Sequence, residues 1–169
     1  AESTPASGWT NTRVMPSALA AFLSLRFAFK GPCLTVSSAC ASGATAIAEG
    51  VELIRRGAAD LVLAGGADSL VTYSALAGFL RLEVMSRQVN SPALASRPFD
   101  AQRDGFVIGE GSGFVVLQRA QDALAAGSQI HGFVVGHAST ADAYNLVAPS
   151  PTGDGALECM RRALVDAGV

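Results

Sequence analysis

Between Cys33 and Gly66 two short apolar runs, 33–38 and 61–64, bracket a stretch with helical periodicity. From 43 to 56 the residues Ala44, Ile47, Ala48, Val51 and Ile54 recur at helical spacing, while Glu49, Glu52, Arg55 and Arg56 occupy the other face. Gly57 supplies the stop. Two strands joined by a crossover helix close as a right-handed unit, so the pattern predicts a parallel strand pair and an α/β fold.

The rest of the chain fits that class. Residues 1–14, rich in Ser, Thr, Ala and Gly, read as loop or frayed terminus, and 15–169 as one folded part. A helix is expected over 18–29, ended by Lys30-Gly31-Pro32, another over 72–79, a short one over 120–126 and an amphipathic one over 156–167. Strands are expected over 106–118, where apolar residues alternate with glycines, and over 130–136. A long connection with two prolines, 86–104, lies between. The absence of an initiator Met and the abrupt helix-like end suggest the central piece of something longer.

Charge and cysteine usage narrow the function classes. A net charge of -2, with basic residues paired only at Arg55-Arg56 and Arg161-Arg162, offers no footprint for nucleic acid or an anionic membrane. The uncharged run 31–48 carries Pro32, Gly43 and several Ser and Thr, which makes it a poor membrane span and points to burial in a core. No signal-peptide pattern opens the chain. Three cysteines, an odd number, suit a reducing cytoplasm better than a disulfide framework. No C-x2-C pair accompanies His131 and His137, so no metal site is expected.

Cys40 stands where the first apolar run turns into the helix, among Ala39, Ala41, Ser42 and Gly43. A thiol attacks as the thiolate, and a helix N-terminus stabilises that anion. Small neighbours permit a tight turn in which backbone N–H groups approach a substrate carbonyl. Against this, most free cysteines are small buried hydrophobes. Residue chemistry leaves both readings of Cys40 open. For Cys33, in mid-strand, and Cys159, on the last helix, the buried reading is preferred.

Gly31 to Gly43, G-P-C-L-T-V-S-S-A-C-A-S-G, resembles the nucleophile signature of the β-ketoacyl-acyl-carrier-protein synthases, condensing enzymes of the thiolase superfamily. Further blocks follow in that family's order: A-D-L-V-L-A-G-G-A-D from Ala59, R-P-F-D from Arg97, R-D-G-F-V-I-G-E-G from Arg103 and D-A-Y from Asp142. The A-C-A-S-G form is more similar to the type II elongating subtype than to modular polyketide synthases.

The resemblance implies a layered αβαβα thiolase-like fold, represented here in part. It implies that an acyl group carried on phosphopantetheine moves to Cys40, that malonyl-carrier protein loses CO2, and that the carbanion attacks the acyl thioester, a covalent catalysis. Ala39 and Phe79 fall where the family lines its acyl pocket, and the loop 142–147, with Asp142, where it gates the channel. Val147 stands where part of the family has Thr. Arg103 and Glu110 are expected to be structural, and His131 and His137 match no catalytic position. No cofactor beyond the carrier's phosphopantetheine is implied. The implied partners are acyl carrier protein and a second ketosynthase subunit, in a homodimer or heterodimer paired through 33–38. The implied location is the cytoplasm.

The family's H-G-T motif and its G-F-G oxyanion loop are absent from these 169 residues, and the Gly136-His137 pair does not match the position of its second catalytic histidine, in a G-H motif. Alone the chain is therefore not expected to catalyse condensation. Two other roles remain: the condensing subunit of an aromatic polyketide system, and a non-catalytic chain-length-type partner subunit. Such partner subunits typically lack the cysteine, so Cys40 weighs against the last.

Overall fold

The computed structural model describes Thr12 and residues 14–169. The expected loop over 1–14 lies almost wholly outside the described residues, and Thr12 and Val14 themselves are helical. Five α-helices and two strands follow: α1 (Ala18–Phe27), α2 (Ser42–Arg55), β1 (Leu61–Ser69), α3 (Tyr73–Arg81), β2 (Glu110–Gln118), α4 (Ala120–Ala125) and α5 (Asp154–Ala167). The order is mixed helix and strand, as an α/β chain requires.

β1 and β2 pair in a two-stranded sheet. The pair is antiparallel. Asp60, just before β1, meets Arg119, just after β2, at 2.5 Å, and Ser69, at the far end of β1, donates to Glu110, the first residue of β2, at 2.6 Å. The expected parallel pair does not form, because 33–38 runs without a ladder partner among the described residues. The same is true of 130–136. Apolar composition predicts extended backbone, but a strand is defined by the neighbour that takes its hydrogen bonds.

The chain contacts divide into two units, Ala1–Gly65 with Val115–Val169, and Gly66–Phe114. In the first, α2 lays Gly50 and Leu53 inward. A Cβ on Gly50 would stand 2.8 Å from the Leu117 side chain and 3.2 Å from that of Val62, so the glycine sets how closely α2 approaches the sheet. Gly136 does the same for α5, since a Cβ there would overlap the backbone at Ala163 and Ala167. Around that contact a charged network joins α2 to α5. Arg55 pairs with Glu52 and with Asp166, both at 3.0 Å, His137 Nε2 lies 3.0 Å from Glu52, and the His137 N–H donates to Asp166 at 2.9 Å. These bonds hold Glu52, through His137 and then Arg55, and Asp166, through the His137 N–H and then Arg55, below the usual carboxylate range.

Helix ends follow local chemistry. α1 stops two residues earlier than expected, at Ala28, whose φ of 55° is left-handed and whose N–H returns to the Ser24 carbonyl. Gly57, at φ 70°, ends α2 as anticipated.

In the second unit Thr72 accepts from the Ala75 N–H and caps α3. The R-D-G-F block closes a turn on 84–87. Asp104 accepts from the Ser86 hydroxyl at 2.7 Å and the Arg87 N–H at 2.9 Å. Phe106 bridges Met85 in parallel and exchanges bonds with Val84 and Ser86. Between them Gly105, at φ 147°, lies where a Cβ would stand 2.5 Å from the Met85 carbonyl carbon. Arg103 bonds the Asp100 carbonyl and Glu110 the Ser69 hydroxyl, so both make structural contacts.

Buried apolar residues among those described are few and mostly small: Leu53, Ala64, Ala95 and Ala123. Burial of the run 31–48 in a core, expected from composition, is not found, since Leu34 is 56% exposed and Cys33 is exposed too. Leu34, Phe133 and Val135 belong to apolar segments that nothing among the described residues covers.

Candidate active site

The segment around Cys40 is a 3-10 turn, Ala39–Ala41, running directly into α2. The nucleophile candidate therefore sits one turn ahead of the α-helix rather than in its first residues. Ala39 has φ 50°. For a residue with a Cβ that left-handed conformation costs about 1–2 kcal/mol, so something must hold it. The Ser42 backbone N–H, which donates to the Ala39 carbonyl, does part of this, and three hydroxyls brace the turn around it. Ser42 Oγ accepts from the Ser38 N–H at 2.9 Å and donates to the Ala39 carbonyl at 2.7 Å. Thr45 Oγ1 donates to the Ala41 carbonyl at 3.0 Å and lies 3.1 Å from Ser38 Oγ.

Cys40 itself is exposed. Its N–H finds no acceptor among the described residues and is free for a ligand. A thiol beside an unused backbone donor, on a turn with no bulky neighbour, can attack a carbonyl and receive the resulting oxyanion at one N–H. The other cysteines differ. Cys33 is exposed in the extended segment, against the expectation of a buried strand residue, because that segment has no neighbour. Cys159 is half-buried, with its sulfur 3.4 Å from the Ala138 carbonyl oxygen.

Ala39 and Cys40 share this turn. Asp142 lies in a different loop of the same unit. It accepts from the Ser150 N–H at 2.9 Å, and its other oxygen lies against Gly155, where no Cβ would fit. Asn145 accepts from the Val147 and Ala148 N–H groups at 2.9 and 3.0 Å and closes the loop tip, while Thr140 donates to the Gly155 carbonyl at 2.8 Å. Leu146 and Val147 stand out at 100% and 81% exposure. Phe79 belongs to the second unit, half-buried on α3. His131 is exposed, and His137 serves the network between α2 and α5.

Sequence reasoning took Ser42 only as a small neighbour of Cys40 and gave no role to Ser38 or Thr45. Their signal was present as hydroxyl residues spaced four and three apart across a run of small apolar ones, the pattern of side chains bonding nearby backbone. Among the described residues no three His, Cys, Asp or Glu side chains gather as metal ligands, and no helix is long and apolar enough to cross a membrane.

A small-residue turn thus carries an exposed cysteine into a helix that approaches the sheet through Gly50. Residues 1–123 match the family "Beta-ketoacyl synthase, N-terminal domain", and the chain belongs to that family. It is 45% identical over 148 residues to 3-oxoacyl-[acyl-carrier-protein] synthase 2 of Rhizobium meliloti, covering 87% of this chain and 35% of that protein. The crystal structure of a beta-ketoacyl synthase from Burkholderia phymatum superposes with a TM-score of 0.88 at 37% identity, over 96% of this chain and 39% of the other. A type II PKS ketosynthase, bound to a hexaketide and in complex with its acyl-carrier protein, gives 0.90 at 29% identity, over 96% and 40%. The fold is thus the thiolase-like ketosynthase fold. The chain spans about a third of the length of the curated relatives it matches.

Proposed function

We propose that this chain carries the nucleophile of a β-ketoacyl-acyl-carrier-protein synthase. The acyl thioester of a carrier protein is attacked by the Cys40 thiolate, the phosphopantetheine thiol leaves, and an acyl-Cys40 thioester forms. Malonyl-carrier protein then loses CO2, its carbanion attacks the acyl carbonyl, and the Cys40 thiolate leaves. The observation that carries this reading is the turn itself: an exposed thiol next to an unused N–H, in a chain of this family. Ala39 borders that thiol directly. Phe79 and the loop at Asp142 are assigned to acyl binding and channel gating on the resemblance. No cofactor is needed beyond the carrier's phosphopantetheine.

The proton transfers and decarboxylation call for groups this chain lacks, so the reaction is assigned to a protein of its relatives' length. A carrier protein and a second ketosynthase subunit, as homodimer or heterodimer, are the proposed partners, and the cytoplasm the proposed location. The apolar segments at 33–38 and 130–136 suit this view, since neighbouring strands would cover them.

The test is to incubate the full-length protein with an acyl-carrier-protein thioester and analyse its peptides by mass spectrometry. The expected result is the mass of the acyl group on the Cys40 peptide alone, lost in Cys40→Ala. Acylation that persists in Cys40→Ala, or that settles on Cys33 or Cys159, overturns the reading.

A further inference from the structure

We propose that Ser42 is a positioning residue for acyl transfer, aiming the Cys40 N–H at the place where the oxyanion forms. This rests on the reading of Cys40 as acyl acceptor. The Ala39–Cys40 peptide is trans, as are all the described peptides. In a trans peptide the carbonyl and the next N–H lie in one plane and point in opposite directions. Whatever anchors the Ala39 carbonyl therefore sets the direction of the Cys40 N–H. Ser42 anchors it twice, through its backbone N–H and through its hydroxyl at 2.7 Å, and the hydroxyl is in turn tied to the Ser38 N–H at 2.9 Å.

The hydroxyl chemistry makes the assignment specific. Each hydroxyl has one proton. Thr45 donates its proton to the Ala41 carbonyl, so in the 3.1 Å contact between Ser38 and Thr45 the donor is Ser38. Two braces thus flank Cys40. One ends on the carbonyl before it and one on the carbonyl after it, and only the first controls the peptide plane that contains the Cys40 N–H. Ala39 and Ala41 have no side chains to share the task. Because Ala39 is left-handed at φ 50°, loss of the hydroxyl leaves its carbonyl on the Ser42 N–H alone and lets the strained peptide tilt, which turns the Cys40 N–H off its aim.

An oxyanion donor matters for attack on a carbonyl and not for alkylation, in which no oxyanion develops. Two rates are therefore compared in the full-length protein: acyl transfer to Cys40 from an acyl-carrier-protein thioester, and labelling of Cys40 by iodoacetamide, with the thermal midpoint recorded. Ser42→Ala is expected to slow acyl transfer roughly 10- to 100-fold, as misaiming one oxyanion donor should. Labelling is expected to stay within about 3-fold of the parent, because the thiol keeps its place. Ser42→Thr keeps the hydroxyl and should restore most of the loss. Thr45→Val breaks the other brace and should leave the ratio of the two rates within about 3-fold of the parent's. If Ser42→Ala does not fold, Ser42→Gly removes the same hydroxyl and is scored by the same ratio. An unchanged ratio in the variant without the hydroxyl, or equal falls in both rates with a lower midpoint, overturns the proposal. A parent protein that transfers no acyl group to Cys40 overturns the functional reading, and this proposal falls with it.

Discussion

Two turns, one in each unit, are clasped by side chains reaching for backbone, and they do it with different chemistry. The turn at Cys40 is held by neutral hydroxyls from Ser38, Ser42 and Thr45. The turn between 84 and 106 is held by one carboxylate, Asp104, with Arg97 3.6 Å away, and by the backbone fit of Gly105. A neutral clasp keeps its geometry across pH and adds no charge beside a thiol whose work depends on charge. A carboxylate clasp makes stronger bonds and depends on staying ionised. The difference suits a turn that must present a reactive group on one side and a turn that only closes a chain on the other.

The largest expected effect breaks the second turn. Gly105→Ala puts a Cβ 2.5 Å from the Met85 carbonyl carbon and 2.6 Å from the Ser86 nitrogen, backbone atoms that cannot step aside. A loss of about 3–5 kcal/mol in urea denaturation is expected, and a loss under about 1 kcal/mol would mean that the turn is not the rigid fit described.

Acid comes next. Hydrogen bonds from Ser86 and then Arg87 hold the Asp104 carboxyl below its ordinary value of 3.8. A carboxylate with a depressed folded-state pKa adds stability that is present above the unfolded value and lost as pH falls through the folded one. Hydrogen-exchange protection of the Arg87 amide should therefore drop below pH 3.8. The Ser38 amide, bonded to a hydroxyl, should show no such step of its own, and a matching step there would erase the distinction between the clasps.

Smaller still, Ser42→Ala should cost about 1 kcal/mol of stability, the worth of neutral hydrogen bonds at a half-exposed site. Its effect on acyl transfer should exceed that on folding. Of similar size is Gly50→Ala in α2. The new methyl meets the end of the Leu117 side chain at 2.8 Å. Overpacking of about 1–3 kcal/mol is partly offset by about 1 kcal/mol of helix propensity. Calorimetry should show a net loss of about 1 kcal/mol, and a larger one would mean that α2 cannot shift under the turn it carries.

Much of this was legible in the residues. The spacing of Ile47, Val51 and Ile54 placed α2 to within a residue at each end, and Gly57 stopped it as expected. β1 was found and begun at the right residue but ended too early, because apolar runs mark where a strand is covered and not how far it pairs, and the strand continues through Gly65, Gly66 and Asp68 to Ser69. Thr72 read as helix and proved to be its cap. The R-D-G-F block could be recognised but not explained. Its reason, Gly105 pressed on residues 84–86, joins positions about twenty apart in sequence.

Local sequence determined what depends on near neighbours: helix faces, stops, and the small-residue setting that singles out Cys40. Tertiary structure decided what depends on partners far along the chain. It gave β1 its antiparallel neighbour β2, left 33–38 and 130–136 without one among the described residues, and set α5 against Gly136. The left-handed turn at Ala39 depends on near neighbours too, yet the sequence did not announce it. Alanine has no intrinsic preference for that conformation, so its identity says nothing about it, and only the Ser42 N–H and the hydroxyls folded around it make the cost worth bearing.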